Sequence, residues 1–422
     1  MSIEVVLTGV GVLSPIGVDV DSFWTAACEG RSGVAFLSLD TDDALKPMGS
    51  EVPDFRPKDF IKPRKNIKVM SRDIQLALVA AIHASTDAGL VTEGDARNVP
   101  AERLGTVFGS DLIGAEVDMT MDAYRSGIEG GRFEFSKWGE VMDKIFPLWM
   151  LKFLPNMPTC HIAIAHDAHG PSNSPTLCRC SSLASIQEAA RVIQRGDADV
   201  MIAGGCGNRV SQDFQTRVKS YFLAPRCDDP TSVPRPFDAD RNGGVLGEGA
   251  GAMVLERREF AEARRAKIYA TVRGFAAANE PTLHNSRPTG RAIRSAIRLA
   301  LKSAGLQPSD VGHVNADGIA SEHDDRIEAA AIRAELGDVP VTTLKGHFGD
   351  LGSGTGAVES VAAVLAIRDG LIPPVRNHRQ TAVDCPINVV HGKPLETKSP
   401  FVLKLNQSRM GRSFAVIFEK FH

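Results

Sequence analysis

Positions 178 to 182 read Cys-Arg-Cys-Ser-Ser, two thiols flanking a guanidinium. Directly after them Leu183, Ile186, Ala190 and Ile193 recur at helical spacing, Gly196 stands where a helix would stop, and the apolar Val200 to Ala203 follows. The stretch 176–205 therefore predicts a tight elbow, a helix and a strand. A side chain on such an elbow lies at a helix N-terminus, where free N–H groups and the macrodipole favour negative charge and lower the pKa of a thiol. Cys178 and Cys180 are thus candidate nucleophiles on residue type and placement.

Other candidate chemistry is weaker. The run Arg235 to Glu256, RPFDADRNGGVLGEGAGAMVLE, packs five glycines ahead of an apolar strand, a density that lets backbone approach backbone or ligand closely. It lacks the Lys-Ser/Thr of a phosphate loop and the spacing of a dinucleotide fingerprint, which argues against both. His161, His166 and His169 have no metal-ligand partners at suitable spacing and read as structural or solvated. Cys178 and Cys180 are one residue apart with no second Cys or His pair, so zinc is not expected.

The elements that must position these residues alternate between strand and helix. Residues 3–18 and Gly105 to Ser110 read as core strands, and the aromatic-rich 132–155 as a plain core helix pair. Beyond Arg258 the alternation begins again. Strand IYATVRGF, a helix around Arg291 to Ser303, strand VGHVNADG, helix Asp324 to Leu336, strand PVTTLKG and helix Gly356 to Asp369 follow in turn. The chain therefore divides into halves 1–258 and 259–422.

At 422 residues, 43% hydrophobic and 23% charged, the composition is that of a soluble globular protein with a sizeable core, not of a disordered chain. A formal net charge of −3 gives no global attraction to nucleic acid or an anionic membrane. Only Arg56 to Arg72, with seven basic residues against one acidic, stands out as a local patch, either a docking face for an acidic partner or a solvated surface. Seven cysteines without small-scaffold spacing argue against a disulfide framework. With no basic leader and no apolar span of about 18 residues, a cytoplasmic location is expected.

The helix with its GDADVMIAGG strand resembles the nucleophile segment of the β-ketoacyl-acyl carrier protein synthases, condensing enzymes of the thiolase fold. The Arg235–Glu256 run resembles their RPFDxxRDGFVxGEGAG sequence, departing at Asn242 and Gly244. The resemblance runs from residue 3 to residue 420. It implies an α/β thiolase fold, with duplicated halves in a five-layer αβαβα arrangement, and a dimer paired through the strand after the nucleophile helix. It further implies a cap over the active site as the other reading of 132–155, acyl carrier protein as partner, a phosphopantetheine arm or CoA as the substrate carrier, and no bound cofactor or metal.

Carried over residue by residue, the resemblance places the family's catalytic cysteine on Arg179. Its two histidines fall on Asp317, in VNADG, and Asp350, with His347 three residues upstream of the second. The supporting lysine and glutamate are retained as Lys345 and Glu359, and an acidic pair as Asp325 and Glu328. The family's FGFGGTN loop is replaced by 406–414. These departures are similar to the chain length factor subunits that pair with an active ketosynthase, although those commonly carry glutamine at the cysteine position. Two alternatives stay open: an acyltransferase or 3-oxoacyl-carrier-protein synthase using Cys178 or Cys180, and a homodimeric protein that binds acyl carrier protein or acyl-CoA. On charge complementarity, Arg179 is expected to bridge Asp317 and Asp350 in a closed cluster.

Overall fold

A computed structural model of the chain describes residues 3–37, 47–111, 117–211, 214, 223–282 and 287–421. Its main sheet runs, in spatial order, through Asn388–Val389, Pro340–Thr342, His313–Asn315, Phe401–Gln407, Arg412–Lys420, Ala270–Asn279, Val5–Leu13, Leu246–Arg257, Val200–Asn208, Leu104–Gly109 and Ser172–Asn173. The two halves of this sheet join only where Val6 faces Thr271 and Leu7 faces Ala270. Three cores alternate with the halves. Helices Arg72–Asp87 and Met157–Ala165 cover the outside of the first half, and helices Arg291–Ala304 and Glu322–Leu336 the outside of the second. Between the halves lie helices Ser181–Arg195 and Thr355–Asp369. These are the five layers of the thiolase fold.

The middle layer explains the composition of its helices. Every residue from Thr355 to Ile367 is buried, because this helix touches sheet or helix all round and offers no face to water. Helix Ser181–Arg195 is amphipathic only at its far end and stops at Gly196, whose φ of 81° permits the left-handed cap. The dense glycines serve the same close packing. A Cβ on Gly251 would lie 2.6 Å from backbone atoms of Ala357 and Val358, so strand Leu246–Arg257 can press directly on the middle helix.

Two expectations change. Strand Val200–Asn208 is paired on both sides, antiparallel with Leu246–Arg257 and parallel with Leu104–Gly109, so the apolar DVMIAGG presents no edge through which a dimer could pair. The edge falls instead at the short Ser172–Asn173, which the turn-rich sequence before the elbow concealed. The aromatic segment is not a core helix pair either. It forms short elements whose Phe135, Leu148 and Met150 are 78%, 48% and 51% exposed, around a small cluster of Ala123, Ile145, Trp138 and Trp149.

Candidate active site

The 3₁₀ turn Cys178–Cys180 feeds helix Ser181–Arg195, with Cys178 held at a φ of 54°. Ser181 and Ser353 both donate to the Cys178 carbonyl, at 2.7 and 3.0 Å, and pin the elbow to the loop before helix Thr355–Asp369. This geometry turns Arg179 inward, where it is 5% exposed.

Asp317 follows strand His313–Asn315, and Asp350 lies in the loop before helix Thr355–Asp369. Both are buried, and Arg179 reaches each of them. Its Nη1 donates to Asp350 Oδ2 at 3.2 Å. Its Nε lies 3.4 Å from Asp317 Oδ2 but aims its hydrogen at the Gln407 carbonyl, so the contact with Asp317 is an ion pair without a hydrogen bond. The expected closed cluster is present.

It is part of a longer chain of alternating charge. Arg209, directly after strand Val200–Asn208, donates Nη1 to Asp350 Oδ2 at 2.6 Å and pairs with Asp111 at 3.2 Å. On the other side Lys345 Nζ pairs with Asp317 at 3.0 Å and Glu359 at 3.2 Å, and Lys404 Nζ with Glu359 at 2.7 Å. Read in order, the groups are Asp111, Arg209, Asp350, Arg179, Asp317, Lys345, Glu359 and Lys404. Every neighbour has the opposite sign and the formal charges cancel. That balance is what a low-dielectric interior demands, since an isolated buried ion costs several kcal/mol, roughly, while a well-bonded pair recovers most of it.

The proton affinities follow from the same arrangement. Burial would raise the pKa of Asp350, but Arg209, Arg179 and Lys345 outweigh it and hold the carboxyl below its usual range. Asp317 is lowered likewise, with burial overcome by Lys345, Arg179 and Lys404. Burial also opposes the charge of Arg179, yet Asp317 and Asp350 keep its pKa above the ordinary value. At Lys404, bonded to a single carboxylate, burial wins and the pKa is lowered. Among the described residues Glu328 pairs with no cation. It accepts from the backbone N–H groups of Asp317 and Gly318, and burial together with the nearby Asp317 charge pushes it up to about 8, so it holds a proton at neutral pH.

The thiols depart from expectation. Cys180 is fully buried, and burial first, then Asp317, drives its pKa well above the ordinary value. Cys178 is exposed, but surrounding protein and Asp111 raise its pKa as well. At both sulfur atoms burial is the largest influence, with Arg179 pulling the other way. His347 lies away from the cluster, buried with Nε2 3.2 Å from the Ala27 carbonyl, and burial lowers its pKa to about 4. Asp325 accepts from the N–H groups of Phe237 and Ile319, tying the glycine-rich run to the second half.

Arg209, Asp111 and Lys404 were not anticipated. Lys404 carries a readable signal: Leu403 and Leu405 face the outer core and Val402 the middle one, so alternation points Lys404 inward as well. Arg209 carries none, its partners lying 98 and 141 positions away. Chemically, a guanidinium only donates and ionised carboxylates only accept. The cluster therefore contains neither a nucleophile nor a neutral donor for a developing oxyanion. Each of its carboxylates is paired with a cation, although Asp317 Oδ2 accepts no hydrogen bond among the described residues, and among those residues no group of three His, Cys, Asp or Glu side chains is placed to hold a metal.

Two family models match, the β-ketoacyl synthase N-terminal domain over residues 3–261 and the C-terminal domain over 269–379. The chain belongs to the β-ketoacyl synthase family. Among its relatives is the 3-oxoacyl-[acyl-carrier-protein] synthase 2 of Staphylococcus aureus (strain MRSA252), 30% identical across 100% of this chain and 99% of that protein. Among solved structures, the ishigamide ketosynthase/chain length factor superposes with a TM-score of 0.86 at 28% identity, covering 100% of both chains. A β-ketoacyl synthase from Burkholderia phymatum STM815 gives 0.87 at 26%, again over 100% of both. The β-ketoacyl synthase scaffold is thus kept over its whole length.

Proposed function

We propose that this β-ketoacyl synthase-like protein of fatty acid or polyketide biosynthesis does not condense on its own. In this reading Arg179, Asp317 and Asp350 stand at the family's cysteine and histidine positions, and the chain acts, like a chain length factor, as partner of an active ketosynthase. The observation that carries the reading is the buried charge chain through Arg179, which fills the elbow with groups unable to attack a thioester or to stabilise an enolate. Supporting it, the chain is similar over its full length to the ishigamide ketosynthase/chain length factor. The acyl chain would arrive on the phosphopantetheine arm of an acyl carrier protein, with the exposed basic residues between Arg56 and Lys68 suited to an acidic carrier. Homodimerisation, or pairing with the active ketosynthase, belongs to the same proposal.

Purified protein should release no carbon dioxide from malonyl carrier protein and yield no ketoacyl product. Turnover within about a hundredfold of an active ketosynthase, a gap of about 2.7 kcal/mol in barrier, would overturn the proposal. Intact-protein mass spectrometry after incubation with acyl donors separates it from an acyltransferase using Cys178 or Cys180, for which a thioester adduct is required. Co-expression with the ketosynthase of the same pathway should give a complex by light scattering. A protein that binds acyl carrier protein as a homodimer, and ignores every ketosynthase offered, would favour the carrier-binding alternative.

A further inference from the structure

On the outer face of the first half, with the sheet between it and Arg179, a cleft of about 600 Å³ opens between the 60–70 segment, helix Arg72–Asp87, the 90–93 turn and helix Met157–Ala165. That volume lies within the range of small-molecule sites. Phe60, Met70, Leu78, Ile82, Leu90 and Ile164 form an apolar wall, with Phe60 and Ile164 41% and 69% exposed, while Asn66, Ser85, Thr86 and Thr92 make the rest of the lining polar. Lys62 and Glu93 are the charged residues of the lining. His161 also lines it and is buried, and its Nε2 has no hydrogen-bond partner among the described residues.

The 56–68 segment, which lines the cleft through residues 60–63 and Asn66, is cationic. Arg56, Lys58, Lys62, Arg64, Lys65 and Lys68 are exposed, and none forms an ion pair among the described residues. The other cation-rich surfaces are different in kind. Arg294 and Arg298, for example, share Glu335, and Arg258 bonds Glu4 and Glu262. A cleft with one apolar wall beside cations that form no ion pair among the described residues is complementary to a molecule with a hydrocarbon tail and an anionic head.

We infer that this cleft binds a free acyl carboxylate, the chain lying along Ile82, Leu90 and Ile164 and the carboxylate at Lys62, within the field of Lys58 and Lys65. Glu93, on the 90–93 turn, repels a carboxylate placed beside it. The assignment does not depend on how the Arg179 cluster is read, so either can fail without the other.

The test is calorimetric titration of the full chain with octanoate, decanoate and dodecanoate below their aggregation thresholds, with decanol, decanoyl-CoA and CoA as further probes. Binding of one molecule per chain is expected, with Kd falling about fourfold for each added methylene. Decanol should bind more weakly than decanoate, and added salt should narrow that difference. Ile164→Asp, at an exposed position that leaves the fold intact, should weaken decanoate at least tenfold with an unchanged Tm. Lys62→Glu should weaken the carboxylates while keeping their chain-length trend. Absence of saturable binding, or binding indifferent to Ile164→Asp, overturns the site. Decanoyl-CoA binding more tightly than decanoate, and displaced by CoA alone, overturns the free-carboxylate assignment in favour of a nucleotide-linked acyl group.

Discussion

Replacing Arg179 with Ala removes one link from an alternating chain, not the only counterion of two aspartates. Arg209 remains on Asp350, and Lys345 with Asn406 remains on Asp317. The expected cost is therefore near the lower end of what breaking a buried pair brings, about 3 kcal/mol at pH 7 by urea unfolding. Arg209→Ala should cost at least as much, because it strips the shorter bond to Asp350 and frees Asp111. The double variant should depart from additivity by more than about 0.5 kcal/mol, since both arginines share one carboxylate oxygen. Additive losses would mean that the two guanidinium groups act independently. Arg179→Cys should restore no carbon dioxide release, because Asp317 and Asp350 would remain as acceptors where donors are needed.

At the scale of elements, the contact between strand Leu246–Arg257 and helix Thr355–Asp369 sets how close the first sheet half comes to the middle layer. Gly251→Ala puts a methyl group against helix backbone that has no flexible end to move, and should cost about 1–3 kcal/mol or more. Gly139→Ala is the control. No atom lies within 4 Å of its added Cβ, and the position is helical and exposed, so stability should hold or rise by up to about 1 kcal/mol. Equal effects at both positions, measured as shifts in Tm, would show that close approach at Gly251 does not matter.

For the whole molecule, the buried titratable groups fix a pH profile. Glu328 is pushed up to about 8, and Asp325 and Asp73 to about 7, in each case by burial first. Above about pH 4.5 the unfolded chain has lost these protons while the folded chain still holds them, so folding binds protons and their contribution falls as pH rises from there towards 8. The slope is about 1.4 kcal/mol per pH unit for each group protonated only when folded. On the acid side the signs reverse. Burial lowers His313 to about 3 and His347 to about 4, so the unfolded chain takes up protons below about pH 6.5 that the folded chain refuses. Asp317 and Asp350, lowered by their cations, contribute stability that is present above about pH 4 and lost as pH falls through their folded values. Between about pH 4.5 and 6.5 the raised carboxyls and the histidines oppose each other, and above about pH 6.5 those carboxyls alone act, so stability falls there. Glu328→Gln should flatten the alkaline limb in calorimetry from pH 6.5 to 8.5, and a limb left as steep as before would rule out a protonated Glu328.

The sequence by itself determined the element order, the five-layer class and the meeting of Arg179 with both aspartates. Helical and strand periodicity are local properties, and three unusual charges at three motif positions that converge in one fold leave few other ways to be neutral. Tertiary structure decided what depends on distant neighbours. It gave Asp350 a second arginine, extended the pairing to Asp111 and Lys404, and left Glu328 without a cation among the described residues and so protonated. It raised the thiols of Cys178 and Cys180, because local helix position is a weaker influence than burial beside carboxylates. It also placed strand Val200–Asn208 inside the sheet, since an apolar strand reads alike whether one edge or both are paired. Pairwise charge and edge geometry are set by groups from 14 to 171 positions apart, and no periodicity along the chain encodes them.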